Sequence, residues 1–344
     1  MTLRSELGEG PATVERLLDA AAPAIGRLAA AIRARDVDLV LIAARGTSDH
    51  AAIYAQYVLG ERNGLPVALA APSLVSLYGH GPRLRNAVVL GISQSGRSPD
   101  VVAVLDDARR QGALTAAITN DAASELATAA EHVIELSAGP ERAVAATKTY
   151  LAEIALLAQL SSALSADDAS AAELRALPSA LREALSTEDL VARLAAERAG
   201  DDRCAVIGRG FHYATAREWA LKLKELTYVM ADPYSAADFQ HGPIALVQPG
   251  FPVLAVATAG PALEGMAVLL ARLRVAHANL LVLSDDADVR GLAAGAGVPL
   301  PVVPEWLSPL AAIIPAQLYA YHLARARGLD TEAPRNITKV TLTR

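Results

Sequence analysis

Apolar positions along this chain follow two periods. Val14, Leu17, Leu18, Ile25, Leu28 and Ile32 recur at helical spacing and predict a helix over residues 9–35. The β-branched-rich run Asp36–Ala43 predicts a strand. It ends in Arg45-Gly46-Thr47-Ser48-Asp49-His50, and a helix is expected over 51–62. Further strands are expected at 67–70, 88–92, 114–119 and 133–136, with helices over 99–111 and 149–164. Strands alternating with helices point to an α/β fold, a parallel sheet covered on both faces. Residues 165–200 are polar and Ala-rich, with Asp167, Asp168, Glu173, Glu183 and Glu188, and read as bridging helices.

The pattern then begins again. Arg45-Gly46 follows the first strand and Arg209-Gly210 follows a strand at 203–208, an offset of 164 residues (209 minus 45). The same offset carries Val88–Ile92 onto Pro252–Val256, and Ile118-Thr119-Asn120-Asp121 onto Val282-Leu283-Ser284-Asp285. A constant offset at three strand ends indicates an internal duplication of one α/β unit. It also distinguishes the copies. Ser93-Gln94-Ser95-Gly96 in the first corresponds to Ala257-Thr258-Ala259-Gly260 in the second, so two serines become alanines.

Composition narrows the picture. The chain is 53% hydrophobic and 20% charged over 344 residues, enough for two domains with buried cores. A net charge of −6 and the lack of a Lys/Arg cluster with interleaved aromatics argue against a nucleic-acid face. The one cysteine, Cys204, lies in an apolar strand and reads as a buried thiol, which fits a reducing compartment. The N-terminus has no signal-peptide core. Leu307–Ala324, the nearest imitation of a membrane span, holds Pro309, Pro315, Gln317 and His322 and reads as a packed core helix. The expectation is a cytoplasmic protein without a membrane partner.

Four stretches could carry chemistry. Ser93-Gln94-Ser95-Gly96-Arg97-Ser98 stands between a strand and a helix, where backbone N–H groups and hydroxyls suit a phosphate. The plain alternative is that Ser98 only caps the helix that Pro99 begins. Glu218, Lys222 and Glu225 fall on one helix face. They form either a solvated salt-bridged stripe or a partly buried carboxylate tuned for proton transfer. His241 precedes Gly242-Pro243 on a turn, either as a structural histidine or presented to a cleft; without a second His or Cys at ligand spacing, no metal site is expected. Pro334-Arg335-Asn336 and Lys339 close the chain, as a frayed tail or as the source of an amine that can form an imine with a sugar carbonyl.

Together these residues resemble the sugar isomerase (SIS) family. The carriers are Arg45-Gly46-Thr47-Ser48, Ser93-Gln94-Ser95-Gly96, Val144-Ala145-Ala146-Thr147-Lys148, Ala220-Leu221-Lys222-Leu223-Lys224-Glu225, His241-Gly242-Pro243 and Pro334-Arg335-Asn336 with Lys339. The resemblance implies two SIS subdomains, each a three-layer α/β/α unit. The expected boundaries are a lead-in over 1–35, a phosphate-binding SIS domain over 36–165, a linker over 166–200, a catalytic SIS domain over 201–330 and a closing tail over 331–344. It implies that Ser93, Gln94, Ser95 and Ser98 hold the phosphate, with Gly46, Thr47, Ser48 and Val144 also contacting substrate. Glu225 would move the proton between C1 and C2 and Lys222 would support it. His241, contributed by a neighbouring subunit, would open the sugar ring. Lys339 would close over the site and can form an imine. A homodimer with shared active sites follows, and the chemistry calls for no cofactor.

Within the family, the resemblance is to the isomerase half of glucosamine-6-phosphate synthase and, more narrowly, to stand-alone glucosamine-6-phosphate deaminases of the SIS type. The synthase begins with a glutaminase domain, which is not expected in a chain beginning Met1-Thr2. Arg45 stands where the synthase has Cys, Arg97 where it has an acidic residue, and Ala146 where it has a sugar-contacting Ser. The implied activity is conversion of glucosamine 6-phosphate and water to fructose 6-phosphate and ammonia. The alternatives are a fructosamine-6-phosphate deglycase, a galactosamine-6-phosphate deaminase and a non-catalytic phosphosugar-binding regulator.

Overall fold

A computed structural model describes residues 2–339; the last five residues of the expected tail, 340–344, lie outside the described residues. In chain order the elements are α1 (Leu3–Ala34), β1 (Leu39–Ala43), α2 (Thr47–Asn63), β2 (Val67–Leu69), α3 (Ser73–Ser76), β3 (Ala87–Ile92), α4 (Pro99–Arg110), β4 (Leu114–Thr119), α5 (Glu125–Ala129), β5 (His132–Glu135), α6 (Lys148–Ser165), α7 (Asp168–Leu185) and α8 (Glu188–Glu197). They continue as β6 (Arg203–Gly208), α9 (His212–Thr227), β7 (Met230–Ser235), α10 (Ala236–Gln240), β8 (Pro252–Val256), α11 (Leu263–Val275), β9 (Asn279–Ser284), α12 (Ala287–Gly291), β10 (Gly297–Pro299) and α13 (Ser308–Ala326).

The chain forms two compact units. One contains Ala12–Arg142 and Lys148–Ala176, with Thr338 and Lys339; the other contains Ala143–Thr147, Leu177–Ile337 and the first residues up to Pro11. Each holds a five-stranded parallel sheet flanked by helices. The first sheet has the order β2-β1-β3-β4-β5. The second, read from its β7 edge, is β7-β6-β8-β9-β10, the same order in a second copy. The α/β reading and the duplication therefore both hold.

Central strands bury both faces, as parallel sheets require. Every residue of β3 and β4 is buried, and Val89, Leu105, Ala117 and Leu126 pack together in the first unit's core. In the same unit α6 packs against α2, and the Gln159 side-chain amide donates to the Leu18 carbonyl of α1 (2.6 Å). In the other unit α13 packs against α8 and α9. The Leu307–Ala324 stretch is thus a buried core helix, even with Pro315 inside it, and among the described residues no helix is long and apolar enough to cross a membrane.

Two expectations need correction. The offset is not constant. Ile92 pairs with Ile118 and Val256 with Leu283, so the first two strands keep 164 (256 minus 92) while β4 maps onto β9 with 165 (283 minus 118). One extra residue entered the second copy between β8 and β9. It is compensated before β10, because Val133 pairs with Ala117 where Gly297 pairs with Val282 (297 minus 133 is again 164). Also, α2 starts at Thr47 rather than 51. Gly46, with φ 55°, turns the chain sharply out of β1, so Thr47 and Ser48 lie in the first helical turn.

Candidate active site

The order of the first sheet reverses between β1 and β3, and in open α/β sheets the carboxyl ends of such strands face the ligand crevice. The Ser93–Ser98 loop leaves β3 there. Ser93 N–H donates to the Ile118 carbonyl (3.1 Å), tying the loop to β4. Gly96 N–H donates to the Ser93 carbonyl (3.1 Å) and hydroxyl (3.2 Å), and Arg97 N–H to the Ser95 hydroxyl (3.3 Å). The Gln94 carbonyl accepts from Asn120 N–H at 3.1 Å. Gly96 has φ 63°, and a Cβ there would lie 2.1 Å from the Ser124 hydroxyl that caps α5. Only glycine fits that turn.

Ser98 does occupy the N-cap position of α4, with Pro99 after it, but its hydroxyl makes no capping hydrogen bond. It lies 3.5 Å from the Ser93 hydroxyl instead. The N-cap alternative therefore accounts for the position of Ser98 and not for its hydroxyl.

Gly46 is exposed and Thr47 half-buried at the head of α2. Ser48 is buried, and its hydroxyl donates to Glu153 Oε1 of α6 (2.8 Å). Arg45, just before them, donates from Nε (2.7 Å) and from a terminal nitrogen (2.6 Å) to Oδ2 of Asp100, in the first turn of α4. Asp100 is fully buried, and its other oxygen accepts from Val101 N–H (2.9 Å).

The equivalent loop of the second copy is engaged internally. Ala257 N–H donates to the Leu283 carbonyl as Ser93 N–H does to Ile118, so the loops are structural counterparts. The one hydroxyl of this loop, Thr258, stands where the first copy has Gln94 and lies 2.8 Å from His212 Nε2, which is also 2.8 Å from the Ser308 hydroxyl. Burial pulls the His212 imidazole down to about 3, so it is neutral in this cluster. Asp285 accepts from Ala259 N–H (2.9 Å), and the Glu305 carboxyl group packs against Gly260. Two carboxylates at this loop disfavour an anion there. The His212 cluster escaped the sequence reading, since nothing marks a helix-start histidine as buried.

On α9 the solvated-stripe alternative fails. Glu218 and Lys222 are both fully buried, Lys222 Nζ lies 3.4 Å from Glu218 and 2.5 Å from Glu225, and the Glu225 side chain keeps 22% of its surface. Desolvation lowers the affinity of Lys222 for its proton, but the charges of Glu218 and Glu225 and their hydrogen bonds outweigh it and raise the lysine well above its ordinary value. Lys222 is thus a permanent cation beneath an accessible carboxylate. His241 follows α10 and is exposed; among the described residues its ring has no hydrogen-bond partner.

The C-terminal turn is docked rather than frayed. The Arg335 guanidinium stacks 3.6 Å from the centre of the Tyr228 ring at the end of α9, and Arg335 N–H donates to the Tyr228 hydroxyl (2.9 Å). In the first-sheet unit, Lys339 pairs with buried Glu141 (2.7 Å), which also accepts from the Thr149 hydroxyl and N–H. Val144 is half-buried, next to Ala143, whose N–H donates to Glu6 (3.1 Å).

The fold is thus a duplicated, open parallel α/β unit with a hydroxyl-lined turn at the switch point of one copy. Residues 35–163 and 199–327 both match the SIS domain model, and the chain belongs to the SIS family. It is 34% identical over 307 residues to the isomerizing glutamine–fructose-6-phosphate aminotransferase of Methanothermobacter thermautotrophicus, covering 88% of this chain and 51% of that protein. The chain spans about half the length of the curated relatives it matches. Among solved structures, a candidate phosphosugar isomerase from Silicibacter pomeroyi is 36% identical, with a TM-score of 0.87 over 96% of this chain and all of that one. The glucosamine-6-phosphate deaminase of Thermotoga maritima is 18% identical with a TM-score of 0.78, over 100% of both chains, a likeness in fold alone.

Proposed function

We propose that this protein is a phosphosugar isomerase that acts as a deaminase, converting glucosamine 6-phosphate and water to fructose 6-phosphate and ammonia in the cytoplasm. The observation that carries the reading is Glu225, an accessible carboxylate anchored to a buried, charged lysine that a second buried carboxylate holds in place. That arrangement positions a proton acceptor without neutralising it.

In this reading Ser93, Gln94, Ser95 and Ser98 anchor the phosphate, and Gly46, Thr47, Ser48 and Val144 help define the sugar site. His241 exchanges the proton that opens the ring. Glu225 takes the proton from C2 of the open aldose and returns it to C1, while an amine proton passes to O1, which leaves an imine at C2 and a hydroxyl at C1. Water adds to that imine and ammonia departs, so atoms balance with no redox change. Lys339 can form an imine with the ketose after leaving Glu141. The protein works as a homodimer in which His241 serves the partner's site. The deaminase branch is favoured because Arg45, one of its departures from the synthase, is paired with Asp100 of the Ser-Gln-Ser-Gly-Arg-Ser-Pro-Asp segment.

The test is ammonia release and fructose 6-phosphate formation over glucosamine, galactosamine and fructosamine 6-phosphates. Glucosamine 6-phosphate is expected to be the best substrate, and Glu225→Gln to lower turnover by roughly a thousandfold or more. Near-wild-type turnover in that variant would remove Glu225 from the mechanism. Release of glucose 6-phosphate together with the C1 amine from the fructosamine would identify a deglycase, and tight binding without turnover a regulator.

A further inference from the structure

We infer that Arg45 reads the phosphate of the substrate and that Asp100 is the positioning residue that orients it; this rests on the assignment of the Ser93–Ser98 loop as the anion anchor. Arg45 follows β1 and Asp100 stands two residues after Ser98, so their contact spans the carboxyl ends of the adjacent strands β1 and β3, where the sheet order reverses. The pair is asymmetric. Asp100 keeps 1% of its side-chain surface and Arg45 keeps 51%. The pair is therefore a fixed dipole whose positive end alone meets solvent.

The anion loop supplies hydroxyls and backbone N–H groups, and a phosphate monoester brings up to two negative charges. Arg97, within the loop, is 65% exposed and only loosely placed, 3.7 Å from Asp121. Arg45 is held by two of its nitrogens, and its remaining terminal nitrogen meets no protein group among the described residues. A guanidinium held on one edge presents the other in a set direction, which suits a phosphate oxygen. Without Arg45, Asp100 would place an uncovered carboxylate beside the loop and repel the anion. Arg45 thus both attracts the phosphate and covers a charge that would expel it.

These two effects separate in a double-mutant cycle, read by calorimetric titration of inorganic phosphate into the full chain at low ionic strength. Arg45→Ala should weaken phosphate binding by about ten- to a hundredfold, the range for a hydrogen bond to a charged group plus an uncovered neighbour. Adding Asp100→Asn should restore part of that loss. Asp100→Asn alone should bind phosphate at least as tightly as wild type while raising KM for the phosphosugar, because the guanidinium is no longer oriented. Arg45→Lys, which keeps a charge against Asp100, guards against a folding defect and should lose only a few-fold. Ser93→Ala/Ser95→Ala serves as the loop control. Weak binding in that control with wild-type binding in Arg45→Ala overturns the inference and leaves the loop assignment standing. Equal losses in Arg45→Ala and the double variant overturn the charge-covering half. A wild-type chain that takes no phosphate, or takes it equally well without the loop serines, overturns both.

Discussion

At the scale of single residues, the centre of α9 is Lys222, a buried cation 3.4 Å from Glu218 and 2.5 Å from Glu225. Glu218, Lys222 and Glu225 announce one helix face by their intervals, yet the same intervals suit a surface stripe. Only packing decided that Glu218 and Lys222 are inside. A consequence is that Lys222→Met should destabilise the protein by about 3–5 kcal/mol in urea unfolding, because Glu218 would become a buried charge without its cation. His212 gives a second test. Its folded value is depressed to about 3 from 6.5, so the unfolded chain binds the extra proton between those limits. This histidine costs no stability above about pH 6.5, and its penalty grows as pH falls. The expected loss is about 2 kcal/mol at pH 5 relative to pH 7. His212→Gln should flatten that part of the stability profile, and an unchanged slope would show that other groups set it.

At the scale of elements, the central strands were evident because β-branched, apolar runs have few alternatives. The edge strand β7 was not. Its sequence Met230-Ala231-Asp232-Pro233-Tyr234-Ser235 carries a proline and an acid, both disfavoured in strands; an edge strand tolerates both because one side of its backbone needs no partner. The start of α2 was misplaced for a related reason. Polar Thr47-Ser48-Asp49 resembles a loop until Gly46 is seen to make the turn and Ser48 to reach Glu153. The anion loop offers the prediction at this level. Gly96→Ala should cost about 1–3 kcal/mol from the left-handed backbone, and more from collision with Ser124. Phosphate affinity should fall with it, since the loop must shift to relieve the clash; unaltered affinity would detach this turn from the anion site.

At the scale of the molecule, duplication organises everything. Both copies share one sheet order. The first copy has Ser93, Ser95 and the Arg45–Asp100 pair; the second fills its loop with Thr258, Asp285 and Glu305 and carries Glu225 and His241. The proposed sharing of sites between subunits has a direct consequence. Glu225→Gln and His241→Ala variants, each inactive alone, should regain up to about a quarter of wild-type activity when unfolded and refolded together, because half the dimers are mixed and each holds one intact site. No recovery, in a preparation whose mass shows mixed dimers, would place both residues' function within one subunit.

Local chemistry was enough to determine the fold class, the repeat, the position of the hydroxyl-rich turn and the charged face of α9. Periodicity and turn composition act over a few neighbouring residues and leave their record in order along the chain. What the tertiary structure decided are pairings between distant positions: Arg45 with Asp100 across 55 residues, Ser48 with Glu153 across 105, and Lys339 with Glu141 across 198. Each depends on a buried carboxylate finding its partner after the chain has folded. Burial and partnership are properties of the packed molecule, and no interval in the sequence encodes them.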